Sequence, residues 1–315
     1  MTYKNLLDAT KNLPAATRTP KLHVVLGSGL AGALDTVLSA SKGWQDLAEV
    51  SFLDLQSIPH TSVVGHKGSF RFVTHKATGA TVVLQTGRLH GYEGHEPTIV
   101  VAPLVESFDL GCRTFLLTNA AGSLQRKWGA GSAMVITDHV NLTGKNPLIG
   151  PNPRNVQNLE RGPRFPDMST AYSPVLSKLL KTSLKAKLKN VYEGTYLGVL
   201  GPSFETPAEV RLFSQWGLGA VGMSTVWETI ALKHMGADVA GLSFLSNLGA
   251  GLAKTPLSHE EVLETGKKSA DLLMRAILDF AERFVTGEKA PAKTKAAAKA
   301  PKKPLTQAKK KKAKK

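Results

Sequence analysis

Between positions 86 and 96 the chain reads TGRLHGYEGHE, which places Arg88, His90, Tyr92, Glu93, His95 and Glu96 within eleven residues. Side chains of these types can hold a metal, grip an anion or line a solvated loop. A metal is the least supported. His90 and His95 stand five apart with Tyr92 and Glu93 between them, matching neither HExxH nor a facial triad, and the fixed charge of Arg88 repels a cation. An anion fits better: a guanidinium offers a planar fork to two oxygens at once, and His90 adds a second donor. Arg88 follows the strand-like run TVVLQT, so it falls at a strand's carboxyl end, where ligands gather in α/β sheets.

A glycine turn points the same way. GSGLAG at 27–32 lies between a β-branched apolar run and a helical pattern. Unpaired backbone N–H groups and the helix dipole at such a turn favour a phosphate, and Ser28 adds a hydroxyl. The same motif also matches the dinucleotide fingerprint, with Asp54 in the next strand-like run as the ribose-binding acid. A tight turn without any ligand is the third reading.

These residues must be positioned by a sheet. Apolar runs recur at LHVVL, GSFRFVTH, ATVVLQT, RTFLLTNAAGS, SAMVITDHVNL, GTYLGVLG, LGAVGMS and ADVAGLSFLSN, with amphipathic helical patterns among them. This predicts an α/β fold: a single domain with a central mixed β-sheet flanked by helices. Thr206, Pro207 and Glu209 form a helix start with a capping box, and Ser258 with Glu261 repeats it. The second helix runs to a stop at Gly287. The expected organisation is an N-terminal helix or extension over 1–20, a folded domain over 21–286 and a disordered tail over 287–315.

Charge supports that division. The chain of 315 residues carries a formal +16, but residues 286–315 hold twelve lysines against the single acid Glu288, which leaves +5 for the rest. The tail has no aromatic residue, so it cannot bury enough surface to offset its ordering entropy. It reads as a non-specific polyanion-binding arm or as a solubilising extension. The single cysteine, Cys112, makes no internal disulfide. No apolar run approaches a membrane span and no signal-peptide pattern opens the chain, so a soluble, cytoplasmic protein is expected.

Taken in order, VVLGSGL, VVGHKG, GRLHGYEGH, TNAAGSL, DHVNLTGKNPLIGPN, GPRFPDMSTAY, GPSFETPAE, VGMSTV and SHEEVLETG give the chain a specific likeness. Over nearly all of residues 20–285 it resembles the low-molecular-weight, trimeric class of purine nucleoside phosphorylases. The resemblance implies reversible phosphorolysis of 6-oxopurine nucleosides to free base and the sugar 1-phosphate. It also implies a homotrimer, no cofactor, no metal, and inorganic phosphate as co-substrate.

Carried over by motif, the resemblance assigns phosphate to Ser28, His66, Arg88, His90, the Ala120 backbone and Ser224. It assigns the sugar to Tyr92, Met223 and His259, and the base to Phe204, Glu205, Val221 and Asn247. Among these, Asn247, Glu205 and His90 would carry the catalysis. A carboxylate at Glu205 accepts N1–H of a 6-oxopurine, while the Asn247 amide donates to O6 and accepts from N7–H. Glu93 reads as an acceptor that orients His90, and His95 and Glu96 gain no role. The pattern is broken in three places. Arg161, in the longer segment PRNVQNLER, stands where an aromatic normally reaches the neighbouring subunit's sugar site; Trp227 replaces a proline; and Leu248 follows Asn247 at a variable position. Trp227 or Leu248 would be expected to alter the base pocket. The competing functions are a nucleosidase, a related phosphorylase of other base preference (xanthosine, adenosine or methylthioadenosine), a dinucleotide oxidoreductase and a tail-recruited nucleic-acid-associated protein.

Overall fold

Apolar runs bounded by turn residues become strands, and the amphipathic stretches between them become the helices that cover the sheet. The computed structural model describes residues 2–27, 29–59, 68–252 and 259–288, with the backbone alone for 259–268. Ser28, His66, the Ser258 cap and the lysine-rich segment from 289 onward therefore lie outside the described residues. In chain order the elements are α1 (Leu6–Thr10), β1 (Leu22–Leu26), α2 (Ala31–Ser39), β2 (Trp44–Ser51), β3 (Ser69–His75), β4 (Thr81–Thr86), α3 (Pro97–Val100), α4 (Ala102–Asp109) and β5 (Thr114–Ser123). There follow β6 (Ser132–Asn141), α5 (Pro174–Lys185), β7 (Val191–Gly198), α6 (Pro207–Gln215), β8 (Ala220–Gly222), α7 (Val226–His234), β9 (Asp238–Leu248) and α8 (His259–Val285).

Among the described residues nine strands form one mixed sheet in the order β2-β3-β4-β1-β5-β8-β7-β6-β9, and β9 also pairs with β5. Strands β5, β8, β7, β6 and β9 thus close into a ring, from which β1, β4, β3 and β2 extend as an open wing. The parallel strands β4, β1 and β5 sit side by side. Every residue of β1 and β4 is buried, as expected for strands covered on both faces. Leu22, Val24 and Leu26 pack with α2, α5 and α8 on one side, and Val25 packs with α4 and α7 on the other. Leu273, Met274, Ile277 and Phe280 of α8 are fully buried, each contributing about 1.5–3 kcal/mol by burial.

The predicted helix ends at Thr206 and Gly287 are present. Thr206 Oγ1 accepts from Glu209 N–H at 3.2 Å and Glu209 Oε2 accepts from Thr206 N–H at 2.7 Å. Past α8, Gly287 turns at φ 74° while Glu288 N–H donates to the Arg283 carbonyl at 2.9 Å, a left-handed stop that satisfies an end carbonyl. Near the other terminus, Leu6 N–H donates to Glu106 Oε2 at 2.6 Å and Leu6 is fully buried.

Two expectations need correction. Strand β2, WQDLAEVS, is absent from the sequence-derived runs because an edge strand with a register shift between Asp46 and Ala48 shows no clean alternation. Asp54 lies in a 3-10 turn after it, Phe52–Asp54, rather than in a strand. Strand β2 pairs only with β3 and is two strands removed from β1, so Asp54 does not end the strand beside the glycine turn as a ribose-binding acid would.

Candidate active site

The ends of several strands converge on one cleft of about 410 Å³. Arg88, His90 and Tyr92 come from the segment after β4, and Ala120 from the second half of β5. Phe204 and Glu205 come from the β7–α6 connection, Val221, Met223 and Ser224 from β8 and the turn after it, and Asn247 from β9. The structure therefore brings together every sequence-predicted site side chain that it describes. His259 is the first residue of α8, but its side chain, like Ser28 and His66, is outside the described set.

One end of the cleft is built for an anion. Arg88, 2 % exposed, donates from Nη1 to Ser224 Oγ at 3.0 Å, and its Nε lies 3.3 Å from Oε1 of Glu228, which is also 2 % exposed. The pair fixes the guanidinium in the protein interior, where charge interactions are least screened. His90 Nδ1 stands 3.1 Å from Glu93 Oε1, and His90 N–H donates to the same oxygen at 2.8 Å. Burial lowers the His90 pKa, with Arg88 acting in the same direction against Glu93. The imidazole is thus neutral near pH 7 and, with Nδ1–H given to Glu93, offers Nε2 as an acceptor. His90 is expected from its place in the motif to donate to the anion; the Glu93 contact favours the opposite role for Nε2. Tyr92 stacks on His90 with ring centroids 4.6 Å apart, and burial, reinforced by Glu93, pushes its pKa up to about 12.

Ser224 is aimed by a strained turn. Thr225 has φ 73° and ψ −43°, and Val226 N–H donates across it to the Ser224 carbonyl at 2.8 Å, forming a three-residue turn of the unfavourable hand. A non-glycine residue held there costs on the order of 1–3 kcal/mol. Asn119 Nδ2 offsets this by donating to Thr225 Oγ1 at 2.8 Å, and Thr229 N–H by donating to the Thr225 carbonyl at 2.8 Å. Helix α7 begins at the next residue, so Ser224 sits beside the positive end of its dipole, which favours negative charge.

The other end of the cleft presents a carboxylate and an amide. Gly122 of β5 pairs with Val221 of β8 on one side and with Asn247 of β9 on the other. The β5–β9 register slips between Ala121 and Gly122, leaving Ser246 as the extra residue; such bulges re-aim side chains at sites. Ser246 Oγ donates to Asn247 Oδ1 at 2.8 Å, and Asn247 Nδ2 donates to the Leu248 carbonyl at 3.0 Å. Each amide atom is held by one neighbour and keeps one further hydrogen-bonding position. Burial raises the Glu205 pKa, and Glu209 nearby adds to the rise. Phe204 is 45 % exposed at the mouth.

Asn119, Thr225, Glu228 and Ser246 were not singled out from the sequence. The only signal for Glu228 is an acid in the mostly apolar opening of α7; Asn119 acts on Thr225 across 106 residues, while Ser246 and Thr225 act on their chain neighbours Asn247 and Ser224. Trp227 does not line the cleft, which corrects its expected effect on the base pocket: it packs behind the segment that carries Tyr92. The carboxylate of Asp109 holds Arg161 in a two-pronged pair at 2.6 and 2.8 Å within the same chain. Lys145 pairs with Glu96 at 2.8 Å. Among the described residues no three His, Cys, Asp or Glu side chains cluster as a metal site would require, and no helix is long and apolar enough to cross a membrane.

The family model of the phosphorylase superfamily matches residues 25–282. Purine nucleoside phosphorylase 1 of Bacillus subtilis is 40 % identical over 258 residues, covering 82 % of this chain and 89 % of its own. The chain belongs to the phosphorylase superfamily. Within it, this chain is also similar to the purine nucleoside phosphorylase of Bos taurus, 36 % identical over 86 % of this chain and 92 % of the relative. Its fold matches the crystal structure of a Schistosoma purine nucleoside phosphorylase in complex with hypoxanthine at a TM-score of 0.73 and 29 % identity. That match covers 90 % of this chain and 99 % of the other. Isoform 2 from Schistosoma mansoni, in complex with cytosine and ribose-1-phosphate, gives 0.74 and 30 % over 90 % and 95 %.

Proposed function

We propose that this chain cleaves 6-oxopurine ribonucleosides and deoxyribonucleosides with inorganic phosphate, reversibly, to the free base and the sugar 1-phosphate, without a metal or other cofactor. The observation that supports this most is the joining, in one cleft, of an anion end (Arg88, His90, Ser224) and an amide-and-carboxylate end (Asn247, Glu205). Phosphate sits against Arg88, Ser224 and the Ala120 N–H, with His90 Nε2 accepting its proton and Ser28 and His66 completing the shell. Tyr92 and Met223 hold the sugar, and His259 its 5′-hydroxyl. Phe204 and Val221 sandwich the base.

In the reaction an oxygen of phosphate forms a bond to the anomeric carbon as the bond to N9 of the purine breaks. The sugar passes through an oxocarbenium-like state whose positive charge the phosphate stabilises. The electron pair leaves on the purine, which takes a proton from water at N7, and the water is restored by the proton that monohydrogen phosphate loses as it becomes the ester. Asn247 Oδ1 accepts that N7–H, a bond that strengthens as the glycosidic bond stretches. Its Nδ2 donates to O6 and the Glu205 carboxylate accepts N1–H.

The deciding experiment is cleavage of inosine, guanosine, adenosine and xanthosine, each with and without phosphate. Cleavage of inosine and guanosine only when phosphate is present is expected; phosphate-independent cleavage would make the protein a nucleosidase. A pH dependence follows from Glu205. Its acid form accepts N1–H only through a neutral carbonyl oxygen, a weaker bond than the carboxylate makes, and burial raises its pKa, so KM for inosine rises on acidification earlier than for an ordinary carboxylate. Glu205→Gln removes this limb; an identical pH profile in the variant excludes Glu205 as the titrating acceptor. The sign for stability is opposite. The folded chain holds this proton more tightly than the unfolded one, so Glu205 lowers stability as pH rises through the window between the unfolded and folded pKa.

A homotrimer is part of the proposal, as are the cytoplasm as its place and residues 287–315 as a non-specific polyanion-binding arm. Ile149, Val156, Leu159 and Phe165, 73, 79, 62 and 89 % exposed, give one segment the apolar face that a neighbouring copy would cover.

A further inference from the structure

We infer that Trp227 is a positioning residue, which holds the Arg88–Glu96 segment in register with the cleft from behind. This rests on the function proposed above. Trp227 is 6 % exposed and packs with Leu89, Val100 and Leu200 beneath that segment. Its indole N–H donates to Thr143 Oγ1 at 2.9 Å and to the Lys145 carbonyl at 3.2 Å. The far edge of the ring presses on Gly91, the residue between His90 and Tyr92. A Cβ at Gly91 would stand 2.5 Å from Trp227 Cη2, 2.8 Å from Cζ3 and 2.7 Å from Leu200 Cδ1, closer than unbonded carbons approach. The cavity beside this ring, lined also by Met223 and Ser224, is about 10 Å³, room for one water at most.

The segment is therefore braced at three points. Glu228 pairs with Arg88 at its start, the Trp227 ring seats Gly91 in its middle, and Lys145 pairs with Glu96 at its end. Trp227 and Glu228 are consecutive in α7, and the turn that binds the indole N–H also carries Lys145. A single rigid helix thus sets the anion-binding arginine and the sugar-side tyrosine relative to each other. Close packing transmits small displacements, and a displacement of 1 Å at a reacting group can cost about 10²-fold.

The test is steady-state kinetics and thermal unfolding of Trp227→Leu, Trp227→Phe, Gly91→Ala and the Gly91→Ala/Trp227→Phe double variant, with wild-type phosphate-dependent cleavage as control. Trp227→Leu is expected to raise KM for inosine on the order of 10-fold, and kcat to change less. Gly91→Ala, which pushes the same contact from the other side, raises KM likewise. Phenylalanine lacks the outer atoms that meet the new methyl, so the double variant recovers toward wild type; this coupling is the signature of a shared contact. Lower thermal stability with unchanged KM, or strictly additive effects in the double variant, overturns the inference. If Trp227→Leu does not fold, the two Gly91 variants decide it alone. A wild type without phosphate-dependent cleavage instead overturns the proposed function, and the inference with it.

Discussion

Asn247→Asp is expected to depress inosine phosphorolysis far more than adenosine phosphorolysis. The amide is held at both atoms: Oδ1 accepts from Ser246 Oγ and Nδ2 donates to the Leu248 carbonyl. Each atom retains one position for the base, a donor for O6 and an acceptor for N7–H. Aspartate keeps the shape and the Ser246 contact but loses both donors. One carboxylate oxygen then faces the Leu248 carbonyl and the substrate's O6, and buried acceptors without donors are costly. Inosine kcat should fall on the order of 10²-fold or more. Adenosine offers a 6-amino group that donates to the carboxylate, so the same change costs it little. Asn247→Ala removes both bonds and lowers inosine turnover to a similar extent without the repulsion. Measuring kcat and KM for both nucleosides at saturating phosphate checks this; equal losses on the two substrates sink the assignment of Asn247 to the base.

What could be read from the chain in advance follows from where its information is local. Strands β1 and β4 are buried throughout and β5 mostly so, and their residues form largely apolar runs that stand out. The Thr206–Glu209 capping box is a contact three residues long and is equally legible. Strand β2 is not, because its bulge at the sheet edge breaks the alternation a half-buried strand should show. The site divides along the same line. Residues inside dense motifs, such as Arg88 and Glu205, could be named. The groups that hold them could not: Glu228 holds Arg88 from α7, and Asn119 reaches Thr225 across 106 residues. Nothing in the neighbourhood of either residue marks its partner. The closed ring of five strands depends on the β5–β9 pairing, a long-range choice that no single apolar run encodes. Trp227 shows the reverse error. As a departure from the family's proline it is expected to alter the base pocket, whereas the helix that starts at Val226 carries it behind the cleft.

The Arg88–Glu228 pair gives the second large effect, because both groups are almost fully buried and only 3.3 Å apart. Removing one member of such a pair leaves the other charged in a poorly solvated place, at a cost of about 3–5 kcal/mol. Glu228→Gln should therefore lower the unfolding temperature of the phosphate-free protein by several degrees. The guanidinium that has lost this carboxylate is then the group that a bound oxyanion neutralises. Phosphate should raise the unfolding temperature of Glu228→Gln by more than it raises that of the wild type, since ligand that binds only the folded state stabilises it by an amount that grows with the logarithm of affinity. Arg88→Met predicts the opposite pattern. The rise with phosphate should disappear, and kcat/KM for phosphate should fall on the order of 10²-fold or more, as for loss of a charged donor to the reacting oxyanion. Thermal unfolding across a phosphate series separates the cases: a full phosphate-dependent rise in Arg88→Met shows that the anion sits elsewhere. A Glu228→Gln protein as stable as wild type shows that the carboxylate does not compensate Arg88. The two variants therefore test different halves of one arrangement, the charge that holds phosphate and the charge that keeps an arginine buried while the site waits for it.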